Sequence, residues 1–311
     1  MHIIRGLGNL PPRFRGAAIT IGNFDGVHRG HQAVIETLCL RARELKCPSL
    51  VMTFEPHPAR LLYPERAPRR ITGVRGKARW MEACGLDGML ILHFDHELAS
   101  LAPEYFVQKI LVEGLAIQDI LIGHDFRFGA GGKGNLDTLL RLGQQYGYSV
   151  DRLEALVMEE GIISSTRIRK SIGVGDFALA EKMLGRPFEV EGRVFRGFQR
   201  GRTIGFPTAN VALKDLLHPP LGVYMVEAWV DEKWLPGVAN IGHNPTFGDQ
   251  QETLLEVHLL SPVGDLYGKV LRVRFHQRIR EQKRFDGIEA LTAQIRADVA
   301  FAWDHFRNLY Q

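Results

Sequence analysis

Cysteine is scarce in this chain, which has only Cys39, Cys47 and Cys84 among its 311 residues. Three scattered cysteines are too few for a disulfide framework or for a zinc site built on paired thiolates. We predict that they are small buried apolar residues. Because so few cysteines suit a reducing compartment, we expect the protein in the cytoplasm.

Long apolar runs are also missing. No stretch approaches the roughly 20 apolar residues that span a bilayer, and the first 16 residues contain no apolar segment of signal-peptide length. We therefore expect neither a membrane association nor a removed leader.

The sequence has little clustering of charge of one sign. The net charge is +4, and the mild basic cluster from Arg66 to Arg79 contains no aromatic residue of the kind that stacks on nucleic-acid bases. A solvated surface, or steering of a small phosphate-bearing substrate, explains this charge better, and we expect no nucleic-acid partner. Oligomeric state is left open by the sequence.

The length and a 45% hydrophobic content favour two compact units. In the first half, short apolar runs alternate with segments of helical spacing, which predicts a Rossmann-like α/β domain with a parallel sheet. The predicted strands cover residues 17–21, 49–54, 88–92 and 117–122, and predicted helices begin near 32, 76 and 103.

A glycine-rich turn joins the first predicted strand to the first predicted helix and carries His28 and His31. The first amides of a helix lack internal acceptors and carry partial positive charge, so such a turn can hold an anion. Two histidines three residues apart can add hydrogen bonds to phosphate oxygens. The alternative is a pair of ordinary histidines. The H-x-G-H spacing favours a phosphate site and resembles the signature of the nucleotidyltransferase superfamily.

Two further loops leave predicted strands at their carboxyl ends, where parallel sheets bind ligands. Pro56 and Pro58 make the first loop rigid. The second carries Phe126 and Phe128; it is not a P-loop, because Gly134 follows Lys133 where that motif has Ser or Thr. A flat aromatic ligand fits this loop, and aromatic residues that plug the core remain the alternative.

Hydroxyl groups precede arginine in the segment from Ser164 to Arg169. Ser165 could simply cap a helix, but Thr166 and Arg169 share a helical face and can hold a triphosphate. A helical stop and linker follow at residues 185–187. We place the domain boundary there, giving domains 1–186 and 187–311.

The second half predicts a small antiparallel β-barrel followed by a C-terminal helix. Apolar runs at residues 190–195, 222–230, 254–260 and 269–279 are punctuated by glycine and proline, and residues 287–310 carry an apolar helical stripe.

Oxygen-bearing side chains in this half point to phosphoryl transfer. Thr208 and Asn210 are two residues apart, so in an extended segment they face one side and suit Mg²⁺ with its waters and nucleotide phosphates. The alternative is a turn or strand-end pair. Activation of an alcohol also needs a proton acceptor. Glu256 is the candidate, although a carboxylate in an alternating strand commonly only faces solvent.

Seven tracts occur in the order typical of the bacterial bifunctional riboflavin kinase/FAD synthetase family, which the chain resembles over nearly its whole length. They are Gly22–His31, Phe54–Pro58, Asp125–Gly129, Ile163–Arg169, Gly205–Asn210, Asn240–Phe247 and Asp265–Gly268. Each tract alone is weak to moderate, whereas all seven in order are specific.

The resemblance implies two ATP- and Mg²⁺-dependent transferase activities. The barrel half would phosphorylate riboflavin to FMN, and the α/β half would adenylylate FMN to FAD. In the barrel half, Thr208 and Asn210 would hold magnesium, Glu256 would act as base, and Arg202 and Gly205 would cover the nucleotide. In the α/β half, ATP would be held by Gly22, Asn23, Phe24, Asp25, His28, Gly30, His31, Ser164, Thr166 and Arg169, and the flavin by Pro56, Pro58, Asp125 and Phe128.

The chain departs from the family pattern at Ser261 and at residues 197–199. Neither departure removes a residue with an expected role, so rates and affinities are affected rather than the reaction. Two other functions are compatible with the same folds: an enzyme with only one working half, and a flavin- or RNA-binding regulator.

Overall fold

The computed structural model describes residues 1–158, 161–197, 201, 204–244 and 252–309. Its contacts divide the chain into two compact units. The first comprises Met1–Pro68 and Val74–Ser164, and the second comprises Arg69–Gly73 and Ser165–Gln311. The division after Ser164 lies before the boundary expected at residue 186, so the residues between these two positions are grouped with the second unit.

The first unit contains a six-stranded sheet in which every neighbouring pair is parallel. Its strands are β1 His2–Arg5, β2 Ala18–Ile21, β3 Ser49–Glu55, β4 Gly88–His93, β5 Asp119–Gly123 and β6 Ser149–Leu153, in the order β1-β4-β3-β2-β5-β6. A separate two-stranded hairpin pairs β7 Val157–Met158 with β8 Gly161–Ile162.

Helices cover both faces of this sheet because successive side chains of a strand point to opposite faces. Ile35 and Leu38 of the first helix pack in one core cluster, and Leu111 and Leu139 pack in the other. The helices are α1 Arg29–Glu44, α2 Pro58–Leu62, α3 Val74–Ala83, α4 His96–Ser100, α5 Pro103–Phe106, continued by the π-helix Val107–Gly114, and α6 Leu136–Tyr146. Short 3-10 turns occur at Leu7–Asn9, Pro12–Phe14, Pro64–Arg66 and Ala130–Gly132.

Strand order places a switch point beside β2. The chain passes from β2 to β3 on one side, and β5 pairs with β2 on the other. Because all the strands are parallel, the segments that follow β2, β3 and β5 leave from the same edge of the sheet. This edge of a parallel sheet is where ligands bind.

The second unit is built on a closed barrel of six antiparallel strands in the order β10-β13-β12-β11-β14-β9. The strands are β9 Glu189–Phe195, β10 Ala209–Ala212, β11 Gly222–Val230, β12 Lys233–Asn244, β13 Glu252–Leu259 and β14 Val270–Arg280. The helices are α7 Ser165–Gly173, α8 Phe177–Leu184 and α9 Ile288–Leu309.

Helix α9 packs on the barrel through Ala302 and Phe306, which are buried with Val223, Met225 and Val238. Asp298 of the same helix is buried and accepts hydrogen bonds from the guanidinium of Arg280 at 2.8–3.0 Å. Apolar contact and an ion pair therefore both fix α9 to the barrel.

The predicted fold class is confirmed in both halves: a parallel α/β sheet and an antiparallel barrel with a C-terminal helix. Sequence patterns missed the edge strands β1 and β6, helix α6 and the long strand β12. Among the described residues, no helix has both the length and the apolar character needed to cross a membrane. All three cysteines are free thiols, and burial raises the pKa of Cys39 and of Cys47.

One charged cluster in the first unit generates a stability prediction. The Arg41 guanidinium binds both oxygens of Asp119, at 2.6 and 2.9 Å, and also binds Asp151 at 2.6 Å. These contacts, led by the hydrogen bonds to Asp119, raise the pKa of Arg41. The Asp119 side chain is 0% exposed, so loss of Arg41 leaves a buried carboxylate without its cation.

We expect Arg41→Ala to lower the free energy of unfolding of the first unit by about 3–5 kcal/mol, the cost typical of an uncompensated buried charge. Urea unfolding, with hydrogen exchange of the β5 amides to locate the effect, measures it. Arg152→Ala is the matched control, because it breaks an exposed pair with Glu154 and costs about 0–1 kcal/mol. Equal losses in the two variants would contradict the prediction.

Candidate functional site

The turn between β2 and α1 begins with a residue that still bonds to the neighbouring strand β3 and ends with the residue that caps the helix. The Gly22 amide still donates to the Met52 carbonyl at 3.0 Å, and the Val27 amide donates to the Phe24 carbonyl at 3.2 Å. His28 is the N-cap of α1, and its Nδ1 accepts the His31 amide at 3.3 Å. The chain therefore reverses within six residues and presents the start of α1 at the carboxyl edge of the sheet.

The two histidines of the turn lie together, as their spacing predicts. Their rings are stacked with centroids 3.6 Å apart and an interplanar angle of 16°. Because Nδ1 of His28 is an acceptor, a neutral His28 ring carries its proton on Nε2. This tautomer makes Nε2 a hydrogen-bond donor, as binding of a phosphate oxygen requires.

The glycines of the turn allow this packing. A Cβ at Gly30 would lie 3.2 Å from Cε1 and Nδ1 of the His28 ring, and a Cβ at Gly22 would lie 3.1 Å from the Phe24 ring. Gly26 has a φ of +87°, which a residue with a side chain rarely adopts. The side chain of Asp25 is buried in the same turn.

The loops after β3 and β5 leave from the same sheet edge as this turn. Pro56 follows a cis peptide bond, and Pro58 is the first residue of α2. Asp125 is 83% exposed, whereas Phe128 is buried in the core and stacks on Phe126 with centroids 5.6 Å apart. Phe128 thus occupies the core position that the sequence left as the alternative to a ligand contact.

The three residues around the start of α7 fall in different units. Ser164 is the last residue of the first unit, and Thr166 and Arg169 belong to the second. The Arg169 Nε donates to the Arg69 carbonyl at 2.9 Å, a contact inside the second unit.

In the barrel, the register of three antiparallel strands brings polar side chains into one row. Asn210 of β10 and Asn240 of β12 both lie directly opposite Glu256 of β13. The Asn240 amide donates to Glu256 Oε2 at 3.1 Å and accepts from Gln282 Nε2 at 3.3 Å through its own oxygen. The amide thus fixes one oxygen of the carboxylate.

Two cavities of the second unit meet at Thr208 and His258, which line both. The first, of about 940 Å³, runs beneath the segment that follows β13 and includes Asp265 and Tyr267. The second, of about 710 Å³, contains the row of Asn210, Asn240 and Glu256. Its apolar wall comes from Phe285, Leu291 and Ile295.

Gly205 and Arg202 are the two residues of this half that the family resemblance assigns to the cover of the nucleotide. Gly205 has a φ of +87°, which suits a glycine, and its methyl position is open. Arg202 lies outside the described residues. Asn240 and the α9 wall received no role from the sequence, because contacts across strands and with a distant helix leave no local pattern. Elsewhere in this unit, burial lowers the pKa of His218, and the hydrogen bond with the Pro219 carbonyl opposes this effect only in part.

Two family models match the chain. The FAD synthetase model covers residues 10–167, and the riboflavin kinase model covers residues 184–306. The bifunctional riboflavin kinase/FMN adenylyltransferase of Pseudomonas fluorescens is 46% identical over 97% of both chains. The chain belongs to this bifunctional family. The enzyme of Escherichia coli K12 with the same name is 43% identical over 98% of both chains.

A solved structure is also similar over its whole length. The crystal structure described as a macrolide-efflux protein from Streptococcus pneumoniae matches with a TM-score of 0.81 and 31% identity, covering 96% of this chain and 97% of that one. Both family models and both curated relatives instead name flavin-cofactor enzymes.

Proposed function

We propose that the chain phosphorylates riboflavin to FMN in its barrel unit and then adenylylates FMN to FAD in its α/β unit, using ATP in both steps. The observation that carries the proposal is the pair of adjoining cavities at Thr208 in the second unit, combined with the stacked histidines at the start of α1 in the first unit. A kinase must bring two substrates together, and two cavities that share Thr208 and His258 can hold both.

In the kinase step, the second cavity takes riboflavin and the first takes ATP. The apolar wall of Phe285, Leu291 and Ile295 suits the flat isoalloxazine ring. The terminal hydroxyl of the ribityl chain then lies beside Glu256, and the γ-phosphate reaches it where the cavities meet. Glu256 accepts the hydroxyl proton, the oxygen attacks the γ-phosphorus, and ADP leaves.

Asn240 prepares Glu256 for this role. Its amide binds Oε2, and Oε1 is the oxygen proposed to accept the proton of the substrate hydroxyl. Gln282 in turn binds the Asn240 oxygen and the Ile241 carbonyl, which fixes the orientation of the amide. A base held in this way needs little reorganisation when the proton moves.

Thr208 and Asn210 are the proposed magnesium ligands. Their hydroxyl and amide oxygens are hard donors that carry no charge of their own. Mg²⁺ suits such a site, because it keeps several waters and binds nucleotide phosphates. Asn210 is 5% exposed and faces the same cavity as Thr208. The bound cation would neutralise phosphate charge during transfer.

In the adenylylation step, the start of α1 holds the ATP phosphates. The turn amides and the Nε2–H group of His28 donate hydrogen bonds to the triphosphate, and His31 assists beside the His28 ring on which it stacks. An oxygen of the FMN phosphate attacks the α-phosphorus. The bond to pyrophosphate breaks, and FAD forms. This step needs no protein base, because the attacking phosphate is already an anion. Pro56, Pro58 and Asp125 are the proposed flavin neighbours, and Phe128, which is buried in the core, would act only by supporting its loop through Phe126.

The remaining expectations belong to the same proposal. A role for Ser164, Thr166 and Arg169 in holding ATP stays a prediction from the family resemblance, and Arg202 and Gly205 are proposed to cover the kinase nucleotide. Domains 1–186 and 187–311 are the proposed catalytic regions, and the start of the riboflavin kinase match at residue 184 supports that boundary. A cytoplasmic location is supported by the three free thiols.

Product analysis tests the overall proposal. With riboflavin, ATP and Mg²⁺, we expect FMN and ADP first, followed by FAD and pyrophosphate, as separated by liquid chromatography. EDTA should stop the formation of FMN, and added Mg²⁺ should restore it. FMN without FAD would leave the α/β half inactive, and flavin binding without turnover would indicate a regulator.

Substitutions should separate the two steps. We expect Glu256→Gln to lower FMN formation by about 10²- to 10⁴-fold, the usual contribution of a general base, while FAD formation from supplied FMN persists. The double variant His28→Ala with His31→Ala should do the reverse, with a loss of about 10²- to 10³-fold in FAD formation. Equal loss of both steps in either folded variant would argue against two separate sites.

The glycine of the H-x-G-H sequence offers a finer test. A methyl group at Gly30 would displace the His28 ring by a few tenths of an ångström, so we expect Gly30→Ala to slow FAD formation about tenfold and spare FMN formation. Gly173→Ala is the matched control, because Gly173 is also helical and its methyl position is open. Unchanged FAD formation in Gly30→Ala would show that the ring position is unimportant.

A further inference from the structure

In the turn that precedes α1, two residues with side chains have backbone angles that such residues rarely adopt. Phe24 has a φ of +48° and Val27 a φ of +40°, both in the left-handed region. A β-branched residue such as Val27 is strained there. The Val27 side chain is also fully buried, so the strained conformation is tied to core packing. Such a turn keeps its shape only if the surrounding structure restrains it.

Lys77 supplies a restraint from outside the turn. It lies on α3, is only 6% exposed, and its Nζ donates to the Asn23 carbonyl at 2.7 Å. The same ammonium lies 3.4 Å from Thr53 Oγ1, and the Thr53 hydroxyl donates to the Asn23 carbonyl at 3.3 Å. One carbonyl of the turn therefore receives two donors.

The other end of the turn is restrained in the same manner. The Gln32 side chain of α1 donates to the Val27 carbonyl at 2.8 Å. Asn23 and Val27 thus bracket the strained segment, and each carbonyl is bound by a side chain from outside it. Of these donors only Lys77 is charged, and a buried ammonium is costly unless it is well bound.

We propose that Lys77 is a positioning residue for adenylyl transfer, which holds the Asn23 carbonyl so that the turn amides and His28 face the ATP phosphates. This inference rests on the proposed function of the α/β unit. Lys77 acts through the backbone of the turn, and its ammonium does not need to touch the substrate. A structural lysine alone would support folding but would leave the affinity for ATP in this one reaction unchanged.

The test compares Lys77→Met with Lys77→Arg in the full-length chain. We expect Lys77→Met to lower kcat/KM for ATP in FAD formation by about 10²-fold, with a raised KM for ATP, because small misplacements of binding groups have effects of this size. Lys77→Arg keeps a donor and should recover most of the loss. Riboflavin phosphorylation by the same preparation should keep its KM for ATP.

Lys109→Met is the matched control, because it removes a surface lysine paired with Glu113 in the same unit. It should change neither reaction. If Lys77→Met folds poorly, Thr53→Val removes the second donor to the same carbonyl, and a smaller rise in the same KM is expected.

Two failures can be told apart. A wild-type chain that makes no FAD from FMN and ATP would refute the proposed function. A wild type that makes FAD, together with a folded Lys77→Met that has normal KM and kcat, would refute the role of Lys77. A loss that follows only the melting temperature and is not recovered by Lys77→Arg would also refute it.

Discussion

Strand direction decides where each half of the chain can place its polar groups. In the six-stranded sheet of the first unit every neighbouring pair is parallel, so the segments that follow β2, β3 and β5 leave one edge and can surround one ligand. In the barrel the strands are antiparallel, and side chains directly opposite one another form the site instead. The first arrangement presents backbone amides of a helix start, and the second presents a row of side-chain oxygens and amides.

This difference matches the chemistry of the two proposed steps. Attack by a neutral hydroxyl needs a fixed base, and the barrel offers Glu256 with Asn240 bound to one of its oxygens. Attack by a phosphate needs charge neutralisation and alignment, which amides and imidazoles at a helix start provide. Each architecture therefore supplies the kind of group that its reaction requires.

Local patterns were sufficient for most elements and for residues close together in sequence. The spacing of His28 and His31 predicts their proximity, and the structure stacks their rings. Asn240 and Lys77 could not be identified in this way. Asn240 reaches Glu256 only through the register of β12 and β13, and Lys77 is separated from Asn23 by 54 residues. Periodicity missed the short edge strands because β1 is mostly exposed and β6 has no buried residue.

Two cations of the first unit, Arg41 and Lys77, contact buried groups of different kinds. Arg41 binds Asp119 at the start of β5 and Asp151 in the middle of β6, so that carboxylates match its charge and the contacts join α1 to the sheet. Lys77 contacts a backbone carbonyl, that of Asn23 in the strained turn. An apolar residue on α3 could fill the same space but could not oppose the strain at Phe24 and Val27. A buried ammonium is costly unless it is well bound, and the Asn23 carbonyl is one acceptor that offsets this cost while the same hydrogen bond restrains the strained turn.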